Sequence, residues 1–395
     1  MKNLYRTTSV SFLTYFVMSA MLAPIGIIST PMAEYFDQPV TDVTRQFSWL
    51  TGGILVGAVI ALFIYDLVRL KHVLISVYGL MGLLLISFLL VPSLAVSSVI
   101  LGLVGTGCGI GLAGAALTIS RTFDDAKRAS MLVITDSCFS VAGFLTAWIA
   151  TWFISREFGW SSTYQLVGLV ALAICALSVS ASFPDTVKDA EELPVLEPWP
   201  MPVWLAVVSL FLYTLGQYSM LFWLPSYAST YLSASTPVAG SLVGQFWVGM
   251  FFAQLFVAWW VLKIGVRKLV LLGAVTTFFG SLALWNYPEV EGLVIITLLW
   301  GFLNLGMLKA LISFATEQVR LPSARLVSLL LLGATVGTAL SPAVTSQIVD
   351  WTDSQTVLIF GSGCYGTLML LMLLALYLSR GGQGHRQQPD QAFSQ

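Results

Sequence analysis

Charge is what this sequence has least of. Only 9% of its 395 residues are charged, and it contains two histidines and four cysteines. A soluble domain carries about 25% charged residues, so this chain cannot clothe a water-facing surface of its size. His72 and His385 fall at the edges of apolar blocks, which leaves no histidine pair for metal binding or general-base chemistry. Cys108, Cys138, Cys175 and Cys364 stand apart, each inside an apolar block, with neither metal-ligand spacing nor a disulfide framework. Walker A loop, dinucleotide fingerprint and nucleophile elbow are all missing. An enzyme is therefore not expected, no cofactor is called for, and transport powered directly by ATP would need another subunit. A net charge of −1 with no basic run excludes nucleic acid as a partner.

What the sequence does contain is apolar length. Hydrophobic residues make up 57% of it and mean hydropathy is +0.87. They fall in blocks of about 20 residues, the length that crosses a bilayer as a helix. Reading blocks against polar punctuation predicts twelve spans, near residues 8–33, 47–68, 72–92, 95–120, 130–154, 162–182, 202–229, 236–262, 268–287, 290–316, 325–348 and 355–379. The first follows Lys2 and Arg6 as a signal peptide would. Its apolar run is too long for a signal h-region, so it is read as a retained span. The expected architecture is an all-α membrane protein of twelve transmembrane helices in two six-helix bundles. Residues 1–183 form the first bundle, the Pro-rich acidic stretch 184–201 a cytoplasmic linker, 202–380 the second bundle and 381–395 a disordered tail. The halves share a weak repeat: GAVIALFIYDLVRLK (57–71) matches GMFFAQLFVAWWVLK (249–263) at an offset of 192, and RASMLVITDS (128–137) resembles RLVSLLLLGA (325–334) at an offset of 197. Paired bundles with a site at their interface are the usual transporter plan.

Basic residues predict the orientation. With the N-terminus inside, Lys2, Arg6, Arg69, Lys71, Arg121, Lys127, Arg128, Lys188, Lys263, Arg267, Lys268, Arg320, Arg325, Arg380 and Arg386 are cytoplasmic, which is fifteen of the 18 basic residues. Arg45 and Arg156 lie outside and Lys309 lies within the membrane. The positive-inside rule then places both termini in the cytoplasm of a bacterium, with the inner membrane as the location.

Two ionisable residues are deep. Lys309, in LNLGMLKALISF (303–314), is 11 residues from Arg320, about 16 Å at the helical rise. Asp136 is eight residues from Arg128, about 12 Å. Each shares a helix face with small or polar residues: Asp136 with Ser140 and Gly143, Lys309 with Gly306 and Ser313. Such stripes face other helices or a cavity. Asp136 suits either gating and proton coupling or a packing-face hydrogen bond, and Lys309 suits a cavity role, since snorkelling from midplane falls short. Lys309 is expected to meet an anionic group of a substrate, or Asp136 when the site is empty. Direct pairing depends on whether the fifth and tenth spans are neighbours. Tyr213 and Gln217 share one face of the seventh span. Trp223, Trp247 and Trp300 suit ligand stacking or packing. The glycine-rich GLVGTGCGIGLAG (102–114) is expected to serve close helix approach, not phosphate binding.

The twelve-span pattern with a central linker resembles the major facilitator superfamily. LFLYTLGQYSMLFWLPSYA (210–228), AGSLVGQFWVGMFFAQ (239–254) and GATVGTALSP (333–342) resemble the fucose–galactose–proton symporter branch. TDSCFSVAGFL (135–145), YTLGQ (213–217) and VSLLLLGATVGTAL (327–340) are similar to segments of the TsgA family along nearly the whole chain. The resemblance implies a cavity lined by Asn304 and Gln217. ALFIYDLVRLK (61–71) keeps the charges of the superfamily motif, Asp66, Arg69 and Lys71, and lacks its glycines, so Asp66 and Arg69 suit either a latch on the cytoplasmic gate, as the resemblance implies, or a solvated helix end. Three features depart from the symporter branch: Ala253-Gln254 replaces Gly-Arg, Lys309 stands where Pro is usual, and no helix-one acid is present. The expected function is secondary active transport of a small polar solute by alternating access, with proton coupling open. An exporter of toxic or amphipathic compounds and a non-transporting sensor are the alternatives. Candidate substrate-binding residues are Lys309, Asn304, Gln217 and Tyr213. Asp136, Asp66 and Arg69 are candidates for coupling or gating. The expected partners are a small-molecule substrate, the lipid bilayer and protons, and a monomer is expected.

Overall fold

The computed structural model describes residues 2–123, 125–183, 199–319 and 324–384. Helices account for the regular structure: α1 (Lys2–Leu22), α2 (Ile25–Phe36), α3 (Val40–Leu67), α4 (Leu70–Ser87), α5 (Leu94–Thr122), α6 (Asp125–Ser155) and α7 (Ser162–Ser180), then α8 (Met201–Tyr231), α9 (Thr236–Ile264), α10 (Val266–Asn286), α11 (Val290–Leu303), α12 (Met307–Thr316), α13 (Ala324–Trp351) and α14 (Ser354–Gly384). Eleven segments are long and apolar enough to cross a membrane, and the bent pair α1–α2 completes a twelfth. Most of the expected linker, 184–198, lies outside the described residues. The tail needs a correction, because α14 continues to Gly384, four residues beyond the expected boundary. The rest of the tail, 385–395, is outside the described residues.

Two spans are broken. The first bends by 52° between α1 and α2. Pro24 lies at the bend; it lacks an N–H and pushes the residue before it away from helical geometry. The tenth divides at Asn304, where Leu305 (φ 48°) and Gly306 (φ 61°) are both left-handed. Glycine tolerates that geometry, but leucine does so at a cost of roughly 1–2 kcal/mol. The neighbouring helix and the turn itself together satisfy the interrupted backbone. Thr276 Oγ1 on α10 donates to Leu303 O at 2.7 Å, and Asn304 O accepts from Met307 N–H at 3.0 Å.

The faint sequence repeat is a repeat of packing. In the first half, α3 and α5 approach so closely that a methyl group on Gly57 would overlap Thr106 O, and one on Gly109 would overlap Ile54 O. In the second half, α9 and α11 repeat this with Gly249 on Leu298 O and Gly301 on Phe246 O. Adding 192 to each of 57, 106, 109 and 54 gives 249, 298, 301 and 246, so all four partners correspond. The contacts between the halves obey the same relation: α3 packs on α13, and α9 packs on α6. The two six-helix bundles are therefore pseudo-symmetric. The glycine-rich run in α5 is a close-approach surface, as its spacing implies. All four cysteines are free thiols, with Cys108 and Cys364 buried.

The halves are closed on each other at the end remote from the termini. There Arg45 on α3 pairs with Asp350 on α13 and, at 2.7 Å, with Asp42. Thr51 Oγ1 donates to Ala339 O at 3.1 Å. A methyl group on Gly26 of α2 would lie 2.5 Å from Phe222 O of α8, and Gly240 on α9 rests on the Thr151 side chain of α6. At the opposite end, Asn3 Nδ2 donates to Ser182 O at 2.8 Å and Lys71 Nζ to Val179 O at 2.7 Å, fastening α1, α4 and α7 together.

Candidate functional site

The deepest acid and the deepest base meet. Asp136, near the middle of α6, forms an ion pair through Oδ2 with Lys309 Nζ on α12. The pair joins the first half of the molecule to the second. Its side chains remain 26% and 43% exposed, so the centre is not sealed from its surroundings. Gln254 Nε2 on α9 donates to the same Oδ2 over a long 3.4 Å, while Gln254 Oε1 is buried with no hydrogen-bond partner among the described residues. Tyr15 on α1 and Tyr213 and Tyr218 on α8 lie within electrostatic range of Asp136. Helices α6, α9 and α12 meet at the pair itself.

Local structure explains why Lys309 needs a partner. The break at Asn304–Gly306 makes it the third residue of a new helix, at the positive end of the α12 dipole, where a cation is disfavoured. The dipole and the ammonium add, so this point attracts anions more strongly than a lysine within an unbroken helix would. Asp136 supplies the anion in this state.

The other sequence candidates are placed differently. Asn304, Gln217 and Tyr213 are 0%, 4% and 2% exposed, packed in the interior of the second half. Among the described residues, both amide atoms of Asn304 lack hydrogen-bond partners, as do Trp300 Nε1 and Tyr365 Oη. The Tyr365 ring lies 6.2 Å from Trp300 and 6.4 Å from Tyr213, so the interior of this half holds several unpaired polar atoms. Asp66 and Arg69 sit at the α3–α4 turn, on the face that bears the termini and apart from the Asp136–Lys309 pair. The three tryptophans act in packing. Trp223 Nε1 donates to Thr345 Oγ1 at 2.9 Å, Trp247 sits against Gly143 and Phe139, and Trp300 packs at a tilt against Phe246 with ring centres 4.6 Å apart. Sequence reasoning missed Tyr15 and Tyr218, which carry no signal beyond an aromatic in an apolar helix. Gln254 did have a signal, the replacement of an arginine, although nothing in the chain pointed to Asp136 as its partner.

Twelve spans in two pseudo-symmetric halves, closed at one end around an ion pair that bridges them, follow the plan of a secondary transporter. Residues 8–232 and 206–392 match the Major Facilitator Superfamily. The chain is 30% identical over 394 residues to the protein TsgA homolog of Citrobacter koseri, covering 98% of this chain and 97% of that one. It is 30% identical over 399 residues to protein TsgA of Salmonella typhi, covering 99% and 98%. Among solved structures it is similar to the nucleoside transporter NupG (TM-score 0.71, 14% identity, 95% of this chain and 99% of that one). It is also similar to a bacterial homolog of the human lysosomal transporter Spinster in an inward-facing, unoccupied conformation (TM-score 0.67, 14% identity, 98% of each chain). The chain belongs to the major facilitator superfamily and, within it, to the TsgA family.

Proposed function

We propose that this transporter moves a small polar solute bearing an anionic group across the bacterial inner membrane by alternating access, with both termini in the cytoplasm. The observation that carries the reading is the Asp136–Lys309 pair, a mid-depth charge contact shared by the two halves. Intramembrane charges mark substrate and ion paths by default, and a charge held between two moving bodies senses their separation. Lys309 binds the anionic group, Asp136 is its counter-ion in the empty site, and amide and phenol groups nearby suit hydroxyls on the solute. The aromatic residues of α6 and α9 pack on each other, as Phe144 does on Phe251 at 6.4 Å, which weakens the reading as an exporter of amphipathic compounds. The test is a thermal-shift screen of purified protein against sugars, organic acids and amino acids. A ligand at 100 times its dissociation constant adds about 2.7 kcal/mol. Lys309→Ala should remove that stabilisation and leave unliganded folding and membrane insertion intact; unchanged affinity in this variant refutes the site.

The closed end carries a second consequence. On this orientation it is periplasmic, and Arg45 with Asp350 latches it. Partly exposed ion pairs contribute about 0–1 kcal/mol, yet a carrier poised between two states responds to that much. In a background with the native cysteines replaced by serine, a cysteine at Ser29, buried on α2, would be labelled with an impermeant maleimide added from the periplasm. Asp350→Asn should raise the labelling rate roughly two- to fivefold, the population change that ~0.5–1 kcal/mol makes. An unchanged rate refutes the latch. Labelling confined to the cytoplasmic side reverses the orientation.

A further inference from the structure

Between Trp199 and Pro288 the chain contains no aspartate or glutamate, yet Lys263, Arg267 and Lys268 fall within six residues of that stretch. They flank Gly265, whose φ of 79° turns α9 directly into α10. This joint lies on the face that bears the termini, because α8 leaves that face and α9 returns to it. Lys263 and Lys268 are exposed. Glu317 caps the end of α12, which packs on α10. Counting that acid against the three cations, the end of the hairpin still keeps two positive charges in excess.

Pseudo-symmetry shows what sets this hairpin apart. The offset of 192 that relates the halves puts Lys71 opposite Lys263, Asp66 opposite Ala258 and Arg69 opposite Val261. In the first half the lysine is tied to a neighbouring helix, with Lys71 Nζ donating to Val179 O of α7 at 2.7 Å. In the second half Lys263 Nζ lies 3.7 Å from the centre of the Trp259 ring, on its own helix, as a cation over an aromatic face. Trp259 belongs to a stripe of exposed apolar residues, Phe252, Leu255, Trp259 and Leu262, at helical spacings of three and four. On a spanning helix such a stripe faces acyl chains, and a tryptophan near its end sits at the level of the headgroups. The Lys263 ammonium therefore stands at phosphate height above a track for a lipid chain, and position 258 offers no carboxylate to neutralise it.

We propose that the α9–α10 hairpin binds an anionic phospholipid from the leaflet on the side of the termini. Lys263 and Lys268 hold the phosphodiester, and one acyl chain lies along the stripe from Phe252 to Leu262. A zwitterionic lipid brings its own cation to the same place, which cancels most of the attraction. The proposal needs only that the chain spans a membrane. It is independent of which face is cytoplasmic and of what is transported. Because α9 also carries Gln254 to Asp136, the lipid holds one end of a helix that reaches the charged pair.

The experiment uses the full-length protein in detergent, titrated with POPG, with POPC and with inorganic phosphate, and bound molecules are counted by native mass spectrometry. POPG should bind more tightly than POPC, and the preference should shrink as salt is raised, since screening shortens the reach of exposed charges. Inorganic phosphate at the same concentration should leave POPG in place, because it cannot use the apolar stripe. A basic residue near an anionic surface is worth roughly fivefold in affinity, so Lys263→Gln with Lys268→Gln should cut the preference roughly 25-fold. Lys263→Arg with Lys268→Arg should retain it, and Lys71→Gln should leave it unchanged. A photoreactive phosphatidylglycerol added to the wild type should label 252–268 well above the equivalent hairpin, 60–76; this arm needs no variant to fold. Equal binding of POPG and POPC, a preference indifferent to salt, or equal labelling of the two hairpins overturns the proposal. Displacement by inorganic phosphate, or a preference unchanged in the double Lys→Gln variant, does so as well.

Discussion

Gly249→Ala should destabilise the protein severely, and Gly57→Ala should do so to a similar extent. At each position a methyl group would overlap a backbone carbonyl on the facing helix, Leu298 O or Thr106 O. Overpacking costs typically about 1–3 kcal/mol when side chains can yield, and a helix backbone yields less than a side chain. Gly52 and Gly363 provide the controls, since a methyl group at either meets nothing within 4 Å. Replacing a helical glycine in open space gains roughly 0.5–1 kcal/mol from reduced backbone freedom. The two classes of variant should therefore move the unfolding temperature of detergent-purified protein in opposite directions. Equal stability of Gly249→Ala and Gly52→Ala would show that α9 and α11 do not approach as described. Because the contact recurs at an offset of 192, unequal penalties at Gly57 and Gly249 would also question the equivalence of the halves.

Reversing the charge at Lys309 should have the largest effect on transport. Lys309→Glu sets two carboxylates against each other across the halves, and uptake of any substrate that binds the wild type should fall to background. The variant should also be less stable than Lys309→Ala, which removes the attraction without adding repulsion. Breaking a fully buried pair costs about 3–5 kcal/mol, and a smaller penalty is expected here because the side chains are 43% and 26% exposed. Exchanging the charges, Asp136→Lys with Lys309→Asp, should restore stability. The new carboxylate at position 309 also gains from the positive end of α12. Substrate binding should not return, since the cation then projects from α6 and the anion occupies the point where substrate charge belongs. A double-mutant cycle on stability separates this from unrelated effects of each change. Strictly additive changes would mean that the two residues do not interact, and recovery of transport in the exchanged protein would mean that only the pair matters, not its direction.

Much of the fold and part of the site were legible in the chain. Spans follow from run length because the bilayer imposes one dimension on every helix. The duplication was visible as one pair of segments matching in Gly, Ala and terminal Lys positions at an offset of 192, and the structure shows why Gly57 and Gly249 correspond, since a contact with a backbone admits no larger residue. The similar depth of Asp136 and Lys309 followed from residue counts alone, because depth in a helix is proportional to position. Tertiary structure decided the rest. Whether the fifth span touches the tenth depends on how two bundles dock, which no local pattern encodes, and it is docking that turns two residues of similar depth into an ion pair. Asn304, Gln217 and Tyr213 carry polar groups suited to a cavity, yet burial depends on neighbouring helices, and here those helices enclose them. LNLG contains a glycine that hints at a turn, but a left-handed leucine beside it is held only by surrounding packing. The same is true of Gln254. Its amide is plain in the sequence, and its role arises only because α9 lies against α6 and brings it to Asp136.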